Sequence, residues 1–431
     1  ECLDTMPLLV TFGNPLLDIT AVVSNQNLHL KYGFPVDGQL EVNEAQRQIF
    51  NEIIENYEIE STAGGCALNS SRVFSWVLGE QERVLFVGGI GKDQQAEKLR
   101  SIVNKSGVKA NFVEIESHPT GMCVALVLDS YRCLCADIGA ANICEPHHIF
   151  NSQMMPALQA SKFIYVEGYF ITHSFDTALQ LARFAQEHKK IFIFNLCGSY
   201  VCESHPNELA EIIPYVDILF GYIEEYKTFD KFVNIQELSN THKKDDYNVT
   251  HSLLKMLKAV NGEEDITKCD KKISDKEILS KDSSLHNGLT NGASNGLTNG
   301  STNGHEHNHV NGNSSNESVG LFESTMNNMG DFPSKKEFDK QHKIVIVTTG
   351  PSPLLYIEDS GLVREHSVPP IPPQDIIDTT GAGDSFVGGY LAALSLNCTV
   401  EQCLDCGIWS AQQILKQKGC TLPQWKARFL K

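Results

Sequence analysis

What most limits the fold of this chain is a set of short segments too apolar to lie half in water. LLVTFG (8–13), RVLFVGGIG (83–91), KFIYVEG (162–168), KIFIFNL (190–196) and YVDILFG (215–221) are nearly continuous in hydrophobic side chains. A strand with one wet face alternates apolar and polar residues, whereas a strand covered on both faces does not. Between the third and fourth segments lies SFDTALQLARFAQEHKK, in which Leu179, Ala182 and Ala185 share a helical face. Buried strands joined by amphipathic helices read as βαβ units. The expected fold class is α/β, with a central, mostly parallel sheet flanked by helices. Two stretches stand apart: LDITAVV running into LHLKYGF (17–34), and TGMCVALVL (120–128) running into YRCLCADIG (131–139). These are expected as strands that pair outside the main sheet, forming a small β lid.

From about residue 240 the pattern stops. NGLTNGASNGLTNGSTNG (287–304) is an Asn-Gly repeat, followed by HEHNHVNGNSSNES. Such a run has almost nothing to bury and cannot offset the backbone entropy lost on ordering. Residues 262–340 are therefore expected as a disordered insertion within the larger unit, with His305, His307 and His309 in a solvated polar tract. Strands resume with KIVIVTTG (343–350) and SPLLYIED (352–359). Two helices follow, GDSFVGGYLAALSL and VEQCLDCGIWSAQQILKQKG, the second with Gly419 placed for a C-terminal cap.

The formal charge of −18 argues against an extended surface for nucleic acid or an anionic membrane, since both attract basic proteins. No apolar run reaches the ~18 residues of a membrane span, and no signal-peptide pattern opens the sequence. The thirteen cysteines lack the spacing of a secreted disulfide framework. They are expected as small buried residues in a reducing compartment, and the pairs Cys133/Cys135 and Cys403/Cys406 as core rather than zinc ligands. The expected address is the cytoplasm, with the nucleus as a second, and the expected assembly is a monomer.

The most informative nine residues are DTTGAGDSF (378–386). Phe386, Val387, Tyr390, Leu391 and Leu394 fall on one helical face, which places Gly381-Ala382-Gly383 at a helix N-terminus. Backbone N–H groups lack intrahelical partners there and the dipole is positive, so the turn can cradle an anion. Asp384 beside such a cradle can take the proton of a hydroxyl that attacks phosphorus.

Those residues resemble the C-terminal signature of the ribokinase-like (PfkB) carbohydrate and nucleoside kinases. FGNPLLDITAVV (12–23), AGGCALNSSRV (63–73), PTGMCVALVLD, PYVDILFG and GCTLPQW are similar to segments of the adenosine kinases within that family. The resemblance covers nearly the whole chain outside the 240–340 stretch. It implies a ribokinase-like fold, with residues 1–19, 63–117 and 138–431 in a large nucleotide-binding domain and 20–62 and 118–137 in the lid. It also implies adenosine and ATP as ligands, and Mg2+ accompanying ATP. Carried over by position, Asn14 and Asp18 hold the nucleoside, with Asp18 on the ribose hydroxyls. Gly64, Gly65 and Asn69 line the sugar, and Phe170 packs near the base. Arg132 reaches the phosphates from the lid. Gly381, Ala382 and Gly383 form the anion hole with Asp384 as base, while Thr349 and Gly350 begin the ATP site. The family carries an Asn-x-x-Glu motif after the DILFG strand for magnesium and phosphate. This chain keeps the acid as Glu225 but has Tyr222 in place of the amide. Glu167 and Cys66 stand where the family has small neutral residues, and proline enters the TTGPSP stretch (348–353). The implied activity is transfer of phosphate from ATP to the 5′-hydroxyl of adenosine, giving AMP for purine salvage. The alternatives are a kinase for another nucleoside or a sugar, and a weakly catalytic nucleoside-binding paralogue.

Overall fold

The computed structural model describes residues 6–36, 38–128, 131–233 and 343–430, together with 250, 253–254 and 257–258. The 262–340 insertion and its three histidines lie outside the described residues.

Nine strands form the main sheet in the order β14-β13-β12-β11-β10-β9-β1-β5-β6. They are β1 (Leu9–Phe12), β5 (Val84–Ile90), β6 (Lys109–Glu114), β9 (Phe163–Glu167), β10 (Ile191–Asn195), β11 (Ile218–Tyr222), β12 (Ile344–Thr348), β13 (Leu354–Glu358) and β14 (Val363–His366). The run from β6 to β12 is parallel, and β13 and β14 add antiparallel to one edge. Alternate residues of each central strand feed two separate cores. Phe86, Phe163, Tyr165, Ile193 and Phe220 pack on one face, and Phe12, Val87, Ile164, Val166 and Phe194 on the other. That is why every residue of β1, β5, β9 and β10 is buried.

Five strands form a second sheet in the order β3-β8-β7-β2-β4, comprising β2 (Leu16–Val22), β3 (Gly38–Glu41), β4 (Ile59–Gly64), β7 (Met122–Leu128) and β8 (Tyr131–Asp137). One face of β2 presents Leu17, Ile19 and Ala21 to a core shared with helices α1 (Asn27–Tyr32) and α2 (Gln48–Asn56). Asp18 alternates to the other face. The expected boundary between residues 19 and 20 falls inside β2, and the one between 62 and 63 falls inside β4.

LHLKYGF, expected as a strand, is helix α1. Its Leu-His-Leu-Lys alternation suggests a strand, but His29 is 2% exposed and Leu30 77% exposed, the reverse of what a strand would need. Gly33, left-handed at φ 68°, caps the helix through its N–H to the His29 carbonyl.

The remaining helices are α3 (Cys66–Leu78), α4 (Gln94–Lys105), α5 (Pro146–Ile149), α6 (Met155–Ala160), α7 (Gly168–Glu187), α8 (Ser199–Ser204), α9 (Pro206–Ile212), α10 (Ile223–Val233), α11 (Ala382–Ser395) and α12 (Val400–Ile414). Helix α11 lies between α3 and α12 at backbone distance. A Cβ on Gly388 would sit 2.5 Å from Ser70 O, and one on Gly389 2.7 Å from Cys406 O. Two consecutive glycines thus bring the DTTGAGD turn against the start of α3. No described helix is long and apolar enough to cross a membrane.

Candidate active site

The parallel strands all end on one side of the main sheet. From β1 the chain reaches β5 on one side, and β9 lies on the other, so the carboxyl ends of β1 and β9 border a switch point where α/β proteins form a crevice. β1 delivers Gly13 and Asn14 there, and β9 delivers Glu167. The carboxylate of Glu167, 1% exposed, accepts the Asn14 N–H at 2.7 Å and the Ala67 N–H at 2.5 Å. It thereby ties the end of β1 to the first turn of α3. Gly13 makes room for it, since a Cβ there would lie 2.4 Å from Glu167 Oε2. Burial pushes the Glu167 carboxyl up to about 8, while the two N–H bonds pull it down. This acid, standing where the resembling family has small neutral residues, is an internal partner for a helix N-terminus.

Asn14, 5% exposed, donates from Nδ2 to the Tyr169 carbonyl at 3.2 Å. Asp18 on β2 packs its carboxylate against Gly64, where a Cβ would fall 2.0–2.3 Å from its carboxyl atoms. Gly65 has φ +97°, and a Cβ on it would stand 2.1 Å from Asn14 O. Both glycines therefore admit the protein's own polar atoms.

Helix α11 opens on Gly381, left-handed at φ 75° and backed by Cys420, which a Cβ on Gly381 would meet at 2.6 Å. Asp378 braces the turn by accepting the N–H groups of Thr380 at 2.9 Å and Gly419 at 2.8 Å. The Ala382 amide bonds to Thr379 O at 3.3 Å and the Ser385 amide to Gly381 O at 2.9 Å. Among the described residues, the Gly383 and Asp384 amides have no partner, and nothing lies within 4 Å of where a Gly383 Cβ would stand. This is an open anion cradle of two N–H groups at a positive helix end.

Asp384 joins this cradle to α3. Its Oδ2 accepts from Asn69 Nδ2 at 3.0 Å, and its carbonyl accepts from Ser70 Oγ at 3.0 Å. Burial pushes its carboxyl up to about 6, offset by hydrogen bonds from Asn69 and the Cys66 thiol. A carboxylate with that environment is ionised at neutral pH yet more basic than an exposed one, which suits a general base. Asn14, Asp18, Gly64, Gly65, Asn69 and the Gly381–Asp384 turn meet at this crevice.

Other sequence expectations fall elsewhere. Phe170 is fully buried and packs its ring 6.3 Å from that of Phe12, in the core on the opposite face of the sheet. As the third residue of α7 it is turned under the helix, so it offers no surface to a base. Arg132 pairs along its main chain with Val127; its side chain lies outside the described residues. Thr349 and Gly350 follow the end of β12, where Thr349 Oγ1 bonds to the Ser352 and Pro353 carbonyls, both at 2.9 Å, and closes the loop on itself. Glu225 is buried, and its Oε2 accepts the Tyr222 N–H at 2.8 Å. Burial pushes it up to about 7, and the charge of Asp384 adds to that. Tyr222, the departure from the family pattern, is 43% exposed and serves Glu225 through its backbone.

Composition alone did not single out the sulfur around Asp384. Cys66 hydrogen-bonds both to it and to Cys197, and Cys197 holds a left-handed φ of 64°. The sequence signal was position, because Cys66 directly follows Gly64-Gly65.

The sequence matches the model for pfkB family carbohydrate kinases over residues 37–255 and 334–427. It is 25% identical to adenosine kinase 2 of Arabidopsis thaliana over 417 residues, covering 97% of this chain and 96% of the relative. It is 26% identical to the adenosine kinase of Saccharomyces cerevisiae over 427 residues, covering 98% and 99%. Among solved structures, Anopheles gambiae adenosine kinase in complex with P1,P4-di(adenosine-5) tetraphosphate aligns with a TM-score of 0.71 and 30% identity, over 97% of this chain and 99% of that one.

Proposed function

The chain belongs to the pfkB family of carbohydrate kinases, and we propose that it is an adenosine kinase, moving the terminal phosphoryl group of ATP to the 5′-hydroxyl of adenosine to give AMP. The observation that carries this reading is the Asn69–Asp384 hydrogen bond, 3.0 Å long, which joins the nucleoside-side segment to the open cradle of α11. Asp18 and Asn14 stand beside it, and a carboxylate acceptor suits the two hydroxyls of a ribose. The full-length similarity to adenosine kinases supports adenosine as the acceptor.

In the reaction, Asp18, Asn14 and the Gly64–Gly65 turn hold the sugar. Asp384 accepts the proton of the 5′-hydroxyl as that oxygen attacks phosphorus. The amides of Gly383 and Asp384 receive the charge that develops on the phosphoryl oxygens. Thr349 and Gly350, at the carboxyl end of β12, start the loop assigned to ATP, and Arg132 the phosphate contact from the smaller sheet. All of these residues come from one chain, so a monomer suffices.

Magnesium bound chiefly by a nucleotide takes one or two carboxylates with phosphate oxygens and water. Glu225 fits that donor set, since the Tyr222 N–H engages one of its two oxygens. Glu225 would hold such an ion, and the ion's charge would offset that of the triphosphate.

The test is a coupled assay with magnesium and ATP, offering adenosine, inosine, guanosine, cytidine and ribose in parallel, with D384N as control. Adenosine-dependent turnover that is lost in D384N is the expected result. Preference for another acceptor would overturn the substrate, and full turnover by D384N would overturn the base.

A further inference from the structure

Arg72 plays no part in the mechanism above, yet it lies beneath it. It sits one turn after Asn69 on α3 and is 5% exposed. Its Nη1 donates to the Ala63 carbonyl at 2.9 Å and to Asn69 Oδ1 at 3.3 Å, while Nε has no partner among the described residues. Asp18 and Cys420 are the titratable groups that face it. A buried cation is costly, and Leu68, one turn earlier on the same helix face, is an apolar core residue. Satisfying the Ala63 carbonyl does not by itself require a charged group.

What the guanidinium can do that an apolar residue cannot is orient an amide. The two ends of an asparagine side chain have nearly the same shape, one an acceptor and the other a donor. Flipped, Asn69 would face Asp384 with its oxygen, setting two acceptors against each other. Arginine is a donor at every nitrogen, so its presence at one end of the amide forces Oδ1 to that end and Nδ2 to the other. We infer that Arg72 is a positioning residue for phosphoryl transfer, locking the Asn69 amide so that its N–H donates to Asp384 and sets the carboxylate's orientation toward the substrate hydroxyl. The inference rests on the reading of Asp384 as the base. Its bond to Ala63 also anchors the end of β4 beside Asp18, so one side chain references both halves of the crevice.

The test is kinetic. R72Q, R72K and N69A are made singly, and each Arg72 variant is also combined with N69A, with D384N alongside. R72Q is expected to lower kcat about tenfold to a hundredfold, with KM for adenosine changed much less. The acid limb of its pH profile moves up by about one unit, because Asp384 loses an oriented donor. R72K recovers part of both. The other titratable groups that act on or feel Asp384, namely Cys66, Tyr165, Glu167, Cys197, Glu225 and Cys420, are unchanged in these variants. In the N69A background the Arg72 substitutions add little further loss, which is the sign of action through Asn69. An equal loss with and without Asn69, or a folded R72Q with wild-type kcat and acid limb, overturns the inference. If R72Q fails to fold, R72K decides in the same way: a loss confined to the Asn69 background supports the inference, and an equal loss or none overturns it. Turnover by D384N would instead overturn the base assignment itself.

Discussion

Removing the base should make the empty protein more stable. Burial raises the Asp384 carboxyl from 3.8 to about 6, so the folded state holds its ionised form at a cost that the unfolded chain does not bear. The difference of about 2.2 units, at ~1.36 kcal/mol per unit, gives a ceiling of ~3 kcal/mol. Asp384 is only half-buried, and solvent screening lowers that to about 1–2 kcal/mol. In D384N the new side-chain oxygen still accepts from Asn69 Nδ2, and the Ser70 bond to the main-chain carbonyl is untouched. D384N should thus gain about 1–2 kcal/mol at pH 8 while losing 10²-fold or more in kcat.

The sign depends on pH. A carboxyl raised in the folded state binds its proton more tightly there than in the unfolded chain. Stability from this group is therefore fully present below the unfolded value and is lost as pH rises through about 6. The advantage of D384N is full at pH 8 and shrinks as pH falls through 6 toward 4. Urea unfolding of both ligand-free proteins at pH 8, 6 and 4.5, with m-values compared, reads this directly. A D384N protein less stable than wild type at pH 8, or an advantage that does not vary with pH, would refute the burial argument.

Four further substitutions probe other parts of the crevice. Burial raises Glu167 to about 8, so its carboxyl is mostly protonated at pH 7 and E167Q mimics that neutral form; thermal unfolding at pH 7 should stay within about 1 kcal/mol of wild type. A loss of about 2–3 kcal/mol or more in E167Q would mean that the carboxyl is ionised there. G64A places a methyl 2.0–2.3 Å from the Asp18 carboxyl atoms and must displace them, so KM for adenosine should rise about tenfold or more with KM for ATP little changed; unchanged nucleoside kinetics would remove Asp18 from the sugar site. G383A meets nothing within 4 Å and gains ~0.5–1 kcal/mol of helix stability, yet its methyl enters the space before the open amides and should cut kcat at least about tenfold. G381A, forced to φ +75° against Cys420, should instead unfold more easily by ~1–3 kcal/mol.

The main sheet was legible because burial on both faces leaves an unmistakable apolar run, as in β1, β5, β9 and β10. Edge strands such as β6 and β14 were not, because β6 mixes Lys109, Asn111 and Glu114 with its apolar residues and β14 is half charged. Helix α1 misled through an accidental alternation, although its capping Gly33 stood in the sequence. At the site, the helix start at Gly381 was legible from glycine followed by an apolar face. The environment of each acid was not, because Glu167 meets Ala67 and Asn14 only when two strands and a helix start converge. Phe170 shows the same limit: a residue at the end of a strand can face either side of the sheet, and sequence position does not say which.

Two glycine-led helix starts point into this crevice, and only their internal partners tell them apart. Helix α3 follows Gly64-Gly65 and α11 begins at Gly381-Ala382-Gly383, so either could be assigned a phosphate from sequence alone. At α3, the first-turn amide of Ala67 is already bonded to a buried carboxylate, Glu167, and Gly65 is pressed against the Asn14 carbonyl. An anion arriving there would find that amide already taken and a backbone wall beside it. At α11 two amides are open, the glycine between them and solvent is bare, and the nearest acid is a base that a substrate hydroxyl must approach. On the proposed reading, Glu167 at one helix start and the open amides at the other put nucleoside and phosphate on opposite sides of Asp384. Gly388 packed on Ser70 O fixes the spacing between them. The buried acid that looked least compatible with a neutral nucleoside pocket thus makes the pocket directional.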